Sequence, residues 1–420
     1  MELYTWVDQV ISLSTYANDI NTLLSLISLT SGKTISELSS ISRSSKHLTN
    51  LKFSIATALG LSQDHSLTDI WNDFLSNHLV FLGNRARSED EKTLFESFNQ
   101  SFGFFVKVFK IIQEGDWSAP LVKWFCNELY ELANKADGDT DIGNKKPTHY
   151  DEAVRSIQQL FAACQLSTTK FPECKLYGVL FCINTLFKIF FKLDKIQSCQ
   201  TLLKWYEQNK STVNLEVYPR SIQVIFQYFR GRMALLQMNF IEAEEALDFA
   251  LAHCPKNCFK NRLLIVRYMT PVKLMVGIYP EEKLLKKYRL KEYINISKAT
   301  RSGDIRGFNE ELERYEELYI SKGVYLVMEK LRYVTYRNLF KKAQRILNPV
   351  DKIMKLDSFN KVLSINNKEK VDPLETECIL ANMIDRKLLL GYLIHEKQLI
   401  VMSKKQEIFP PIRSTYTKAT

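Results

Sequence analysis

At 420 residues the chain is long enough for roughly two to three hydrophobic cores, and 45% hydrophobic residues with 12% aromatics exclude a disordered protein. Only 14 glycines and 11 prolines punctuate it, which excludes a sandwich with a turn every ten residues and favours long helices. The net charge of +10 is uneven: residues 321–420 hold 19 Lys and Arg against 10 Asp and Glu, so the C-terminal module is expected to face a polyanionic or acidic partner.

The chain opens with an amphipathic piece (Trp6, Val7, Val10, Ile11) followed by a Ser/Thr-rich stretch over 25–45, read as a weak helix and linker. No positively charged leader precedes it, and the most apolar stretch, 177–191, carries Asn184 and Lys188 and is too short to span a bilayer; a soluble protein with no membrane partner is expected. Helical periodicity strengthens over 53–82. It is clearest at Phe95, Phe98, Phe102, Phe105 and Phe109, where aromatics recur every three or four residues, the spacing of a buried helix face. Residues 137–147 form a polar loop whose Asp-x-Asp-x-Asp spacing suggests calcium, but Ile142 stands where the turn needs Gly and Thr148 where the twelfth ligand should be.

From Tyr150 onward helices come in pairs: 156–166, 176–193 and 196–206. Between Tyr228 and Ala250, small Gly231, Ala243 and Ala250 alternate with Leu235, Phe240 and Leu247 in the pattern of a tetratricopeptide-type hairpin. Such a hairpin cannot bury its face alone, so a solenoid of stacked neighbours is expected. A further hairpin is predicted over 296–319, turning at Ser302-Gly303-Asp304 and packing through Phe308, Leu312 and Tyr315.

The C-terminal module begins with a basic amphipathic helix over 335–347. Asp372-Pro373-Leu374-Glu375 is a capping box that starts a helix running to about residue 387, with Ile379, Leu380, Met383 and Ile384 on its inner face. Two short strands, 390–394 and 399–402, flank His395-Glu396-Lys397-Gln398. Three short helices followed by a β-hairpin describe a winged helix.

Several strings in the second half resemble a known family: Leu180-Phe181 through Phe191-Lys192, Tyr268-x-x-Pro271-Val272-Lys273, Leu284-Leu285-Lys286-Lys287-Tyr288, and above all Thr335-Tyr336-Arg337-Asn338-Leu339-Phe340-Lys341-Lys342. Cys378-Ile379-Leu380-Ala381-Asn382 and Phe409-Pro410-Pro411 match as well. The chain is similar over roughly 119–411 to the PCI family that joins PCI-domain-containing protein two, the Thp subunit of the transcription-export complex and the twelfth-subunit type of the COP-nine signalosome. The resemblance implies a mostly α fold, a TPR-like helical-repeat solenoid followed by a C-terminal winged helix. It divides the chain into an N-terminal helix and linker (1–50), helical repeats (51–215), a PCI domain (216–408, with hairpins over 216–320 and the winged helix over 321–408) and a tail (409–420). It also implies a non-catalytic scaffold of the nucleus, with a cytoplasmic pool allowed. The implied partners are a second PCI protein of Sac or Thp type, a small acidic Sem/Dss-like protein, RNA or DNA in transcription-coupled mRNA processing or export, and, in the alternative branch, other signalosome subunits without nucleic acid. Length favours the signalosome-twelve type, and the export-complex type stays open.

Arg337, Lys341 and Arg345 recur every fourth residue beside Lys342; Arg386 and Lys387 end the third helix, and Lys397, Lys404 and Lys405 sit on or after the wing. Together they are the candidate phosphate contacts, with a solvated basic face as the plain reading. Sequence-specific readout is disfavoured because the third helix exposes Asn382 and Asp385. The acidic run Asp304, Glu310, Glu311, Glu313, Glu316 and Glu317 reads as a solvated face.

Catalytic and metal motifs are incomplete. Ser31-Gly32-Lys33-Thr34 has the tail of a phosphate loop, but Ile27 replaces its first Gly; His395-Glu396 lacks a second His at Leu399. Neither a catalytic set nor a cofactor is expected, and no signalosome-type His-x-His motif occurs. Cys254 and Cys258 beside His253 lack a second pair at ligand spacing, so the eight scattered cysteines are expected to be reduced and mostly buried, and no metal is expected.

Overall fold

The computed structural model describes residues 9–10, 22, 26–27, 65–111, 118–138, 148–166, 171, 174–347, 352–366, 371–404 and 407–416. The phosphate-loop-like string at 31–34, the loop residues 139–147 and Lys405 lie outside the described residues, as does the Ser/Thr-rich stretch apart from helical Leu26 and Ile27. The chain divides into two compact units, 1–222 and 223–420.

In the first unit, α1 (His65–Ala86), α2 (Glu91–Ile111), α3 (Ser118–Asp137), α4 (Thr148–Cys164), α5 (Val179–Lys192) and α6 (Ile196–Gln208) pack on their sequence neighbours, with α2 also on α4 and α3 on α5. The aromatic stripe sets that packing. Phe95, Phe98, Phe102, Phe105 and Phe109 are all buried on one face of α2, and Phe125 of α3 lies flat on Phe105 with ring centroids 3.9 Å apart. Asp137, the first residue of the calcium-like spacing, instead anchors α4: its carboxylate accepts Tyr150 N at 3.0 Å and lies 2.5 Å from His149 Nδ1.

The hairpin in the second unit pairs α7 (Arg220–Leu236) with α8 (Phe240–His253). A Cβ at Gly231 would meet Leu247 Cγ at 2.6 Å, so the missing side chain lets the helices close together. Then come α9 (Phe259–Met275), α10 (Glu282–Lys287), α11 (Ile294–Ser302), α12 (Ile305–Arg314), α13 (Glu316–Ser321) and α14 (Tyr325–Leu347). The predicted turn between α11 and α12 forms as a Schellman motif. Gly303 takes φ 76°, its N–H donates to Thr300 O, Asp304 N donates to Ala299 O, and the Asp304 side chain accepts Gly307 N to start α12.

The basic helix expected over 335–347 is the second half of α14, which starts at Tyr325 and packs on α9, α11, α12 and α13 as well as on the head. Beyond it lie β1 (Ile353–Lys355), α15 (Leu356–Asn366), α16 (Pro373–Asp385), β2 (Gly391–Ile394) and β3 (Leu399–Met402). The sheet order is β1-β3-β2, antiparallel throughout, with Ile353 and Tyr392 both opposite Val401. Helix, strand, two helices and a β-hairpin make a winged helix. Asp372 caps α16 by accepting Leu374 N at 3.1 Å, and Pro373 occupies the first turn. Hairpins and head share one buried cluster running from Val224 to Ile412.

Candidate partner and nucleic-acid interface

The Thr335 to Lys342 string is largely committed to holding the second unit together. Tyr336 stacks on Phe340, which meets Phe359 of α15 edge-on at 4.9 Å. Asn338 Nδ2 donates to Tyr279 Oη at 2.7 Å and to Thr300 O at 2.8 Å, tying α14 to the end of α11. Arg337 is only 6% exposed, and its guanidinium donates to Phe409 O at 3.0 Å and Pro410 O at 2.7 Å. Burial disfavours its charge, and the two carbonyls replace the water it has lost. Spacing put Arg337 on the face of Lys341 and Arg345; the C-terminal segment covers that face at Arg337 and withdraws it from any phosphate.

The other candidates fall into three local groups. On α14, Lys341 pairs with Glu407 at 3.2 Å, Lys342 donates to Ser302 O at the end of α11, and Arg345 is exposed. At the end of α16, Arg386 lies 4.0 Å from the centroid of the Tyr333 ring, and Lys387, in a left-handed turn at φ 57°, is exposed. On the wing, Lys397 and Lys404 are exposed. Lys397 borders a cleft of about 360 Å³ with Lys355, Asp357, Asn360, Pro373 and Gln398. His395 Nδ1 lies 2.8 Å from Glu377, which fastens the wing turn to α16.

The outward face of α16 has a different character. Leu374 is 60% exposed, and Glu375, Cys378, Ala381, Asn382 and Asp385 are exposed with it. The helix contains no Lys or Arg. In a winged helix this element would enter a DNA groove, where carboxylates without cations oppose the phosphates; an apolar and acidic face suits a protein surface.

Sequence reasoning missed a second anchor of the C-terminal segment. Glu244 on α8 is 2% exposed, with Lys273 Nζ at 2.8 Å and Arg413 at 3.2 Å. Ile412 packs where Gly277 leaves room, and Tyr416 meets Phe240 edge-on at 5.0 Å. The available signal was Glu244 itself, a carboxylate between inward-facing Ala243 and Leu247.

Among the described residues no group of three or more His, Cys, Asp or Glu side chains could hold a metal ion, and no helix is long and apolar enough to cross a membrane. All eight cysteines are free thiols: six are buried, Cys258 is half-buried and Cys378 is exposed. His253 Nδ1 is hydrogen-bonded to Phe249 O rather than turned toward a cysteine.

PCI domain-containing protein 2 of Danio rerio is 33% identical over 317 residues, 74% of this chain and 77% of that protein. The chain belongs to the PCI domain-containing protein 2 family. Enhanced ethylene response protein 5 of Arabidopsis thaliana is 31% identical over 403 residues, 94% of this chain and 94% of that protein. Protein CSN12 homolog of Gibberella zeae is 29% identical over 65% of this chain and 64% of its own. No family model matches the chain. For a PCI domain-containing protein 2 relative, helical repeats ending in a winged helix are the architecture observed here.

Proposed function

We propose that the chain is a non-catalytic scaffold subunit of a nuclear PCI complex. Its winged helix pairs with a second PCI protein of Sac or Thp type, its repeats hold a small acidic Sem/Dss-like protein, and its basic head contacts nucleic acid during transcription-coupled mRNA processing or export. The observation that carries this reading is the division of labour on the head. The outward face of α16 is apolar and acidic, suited to a protein, while Lys342, Arg345, Arg386, Lys387, Lys397 and Lys404 are exposed on α14, at the end of α16 and on the wing, and remain for phosphates. Arg337 is left out of the phosphate set because it is buried and Lys341 because it pairs with Glu407, and Lys405 lies outside the described residues.

Affinity purification of the tagged chain with mass spectrometry is the test. A PCI protein and a small acidic protein should co-purify, and Leu374→Arg should release the PCI partner without changing the melting temperature. Recovery of neither partner refutes the scaffold reading. The CSN12 homolog among the relatives supports a second reading, in which the complex is signalosome-like and does not bind nucleic acid. In that case the purified complex passes a heparin column without retention.

A further inference from the structure

Summed over the first 320 residues the charge nearly cancels, but residues 254–301 alone hold 12 Lys and Arg against 3 Asp and Glu. The structure separates the spent charges from the free ones. Arg262 caps α8 by donating to Leu251 O and Cys254 O, Arg267 lies 3.8 Å from buried Glu292, and Lys273 serves Glu244 and Asp248. Glu282 is claimed by both Lys286 and Lys298, whose ammonium groups hold its carboxyl down to about 2. Lys256, Lys260, Lys283, Lys287, Arg289 and Lys291 are exposed and carry no ion pair among the described residues.

An aromatic platform lies within this field. Phe259, the first residue of α9, is 43% exposed although its ring stacks on Tyr288 at 5.5 Å and 20°. Tyr288 is buried and fixed beneath it: Arg262 Nε donates to its hydroxyl at 3.0 Å, and Lys287 Nζ lies 5.8 Å from its ring centroid. Lys256 precedes Phe259 by three residues and Lys260 follows it directly. A large apolar ring held flat and partly open to solvent, among ammonium groups without counter-charges, matches what an unstacked base and its flanking phosphates require.

We infer that the start of α9 and the α10 segment form a single-stranded nucleic-acid contact separate from the winged helix, with Phe259 stacking a base and Lys256, Lys260 and Lys287 neutralising phosphates. A duplex presents no free base face to Phe259, so single strands are preferred. An acidic polypeptide would use the lysines but has no purine or pyrimidine ring to place on Phe259.

Fluorescence anisotropy of the full-length chain with labelled oligouridylate tests this. Phe259→Ala should weaken binding by roughly ten-fold, as expected for the loss of one base–aromatic stack, while Phe259→Tyr keeps it. On an abasic oligomer Phe259→Ala should have no effect. The triple variant Lys256→Glu, Lys260→Glu, Lys287→Glu should flatten the salt slope by about 2. Melting temperatures of all variants confirm that the fold is kept, and rescue by Tyr separates stacking from folding. Failure of the wild-type chain to bind, wild-type affinity in Phe259→Ala, or an equal loss on the abasic strand each overturns the inference. So does polyglutamate binding that depends on the lysines while Phe259 is silent, which assigns the surface to an acidic protein. Lys342→Glu with Arg345→Glu and Lys397→Glu tests the head independently, so either surface can fail without the other.

Discussion

His78 is fully buried among Phe74, Phe81, Trp124 and Phe125, with Nε2 2.9 Å from Ile27 O and Nδ1 3.1 Å from Ser101 Oγ. Only the tautomer protonated on Nε2 lets the neutral ring donate to Ile27 O, so its Nδ1 accepts from the serine hydroxyl. Burial drives the imidazole pKa down to about 4, against a modest opposing effect of the Ile27 carbonyl. Unfolded, the same ring titrates near 6.5, so between these values the unfolded chain binds the extra proton and stability falls as pH drops. Full stability is present above about 6.5, and up to about 3 kcal/mol is lost by pH 4. Denaturant titrations of the first unit at pH 7.5 and pH 5 should show this loss, and His78→Gln should flatten that dependence. Arg337 is the residue-scale counterpart in the second unit. Arg337→Ala leaves the buried Phe409 carbonyl and the part-buried Pro410 carbonyl without this donor and should cost about 2–4 kcal/mol in thermal melts. Because the guanidinium is covered, oligonucleotide affinity should not change in the folded variant.

At the scale of elements, legibility followed periodicity and local chemistry. The phenylalanine stripe of α2 and the Asp372-Pro373 start of α16 could be read because each rests on a few neighbouring residues. The three-residue β1 could not, since it is a strand only through its register with β3. Nor could the burial of Arg337, which depends on carbonyls 72 and 73 residues away. The α9 platform was hidden for another reason: acidic residues elsewhere cancel its charge in any long average, and Phe259 meets Tyr288 only in the fold. The α11–α12 turn, in contrast, was legible and can be tested. Gly303 sits at φ 76°, and a Cβ there would lie 2.6 Å from Leu339 N and 2.7 Å from Leu339 Cα of α14. Backbone cannot yield as a side-chain tip can, so Gly303→Ala combines a left-handed strain of about 1 kcal/mol with displacement of the hairpin. A loss of about 3 kcal/mol or more in chemical denaturation is expected. Gly323→Ala is the control: it also has positive φ, at 68°, but only Leu236 at 3.8 Å, so it should cost about 1 kcal/mol.

For the second unit as a whole, residues 407–416 act as a strap across repeats and head. Leu390 N donates to Ile408 O, Arg337 holds Phe409 and Pro410, Ile412 fills the space at Gly277, and Arg413 answers the buried Glu244. The Lys341–Glu407 pair at its start is largely exposed on the Glu407 side and should contribute less than about 1 kcal/mol. The weight lies in the apolar and buried-charge contacts. Deleting residues 407–420 uncovers the seats of Ile408, Phe409 and Ile412, removes the two backbone acceptors of Arg337 and leaves it Asn338 Oδ1, and leaves Glu244 with Lys273 alone. Burial of the three side chains and the orphaned charges together amount to on the order of 5 kcal/mol or more, comparable to a domain's entire stability. Hydrogen exchange of the truncated chain should therefore show lost protection in α9, which ends just before Gly277, and in α11 and α14, which carry Thr300 and Arg337. Glu407→Ala in the full-length chain should leave those amides as protected as before. Full protection of α14 in the truncated chain would mean that the head and hairpins hold together without the strap.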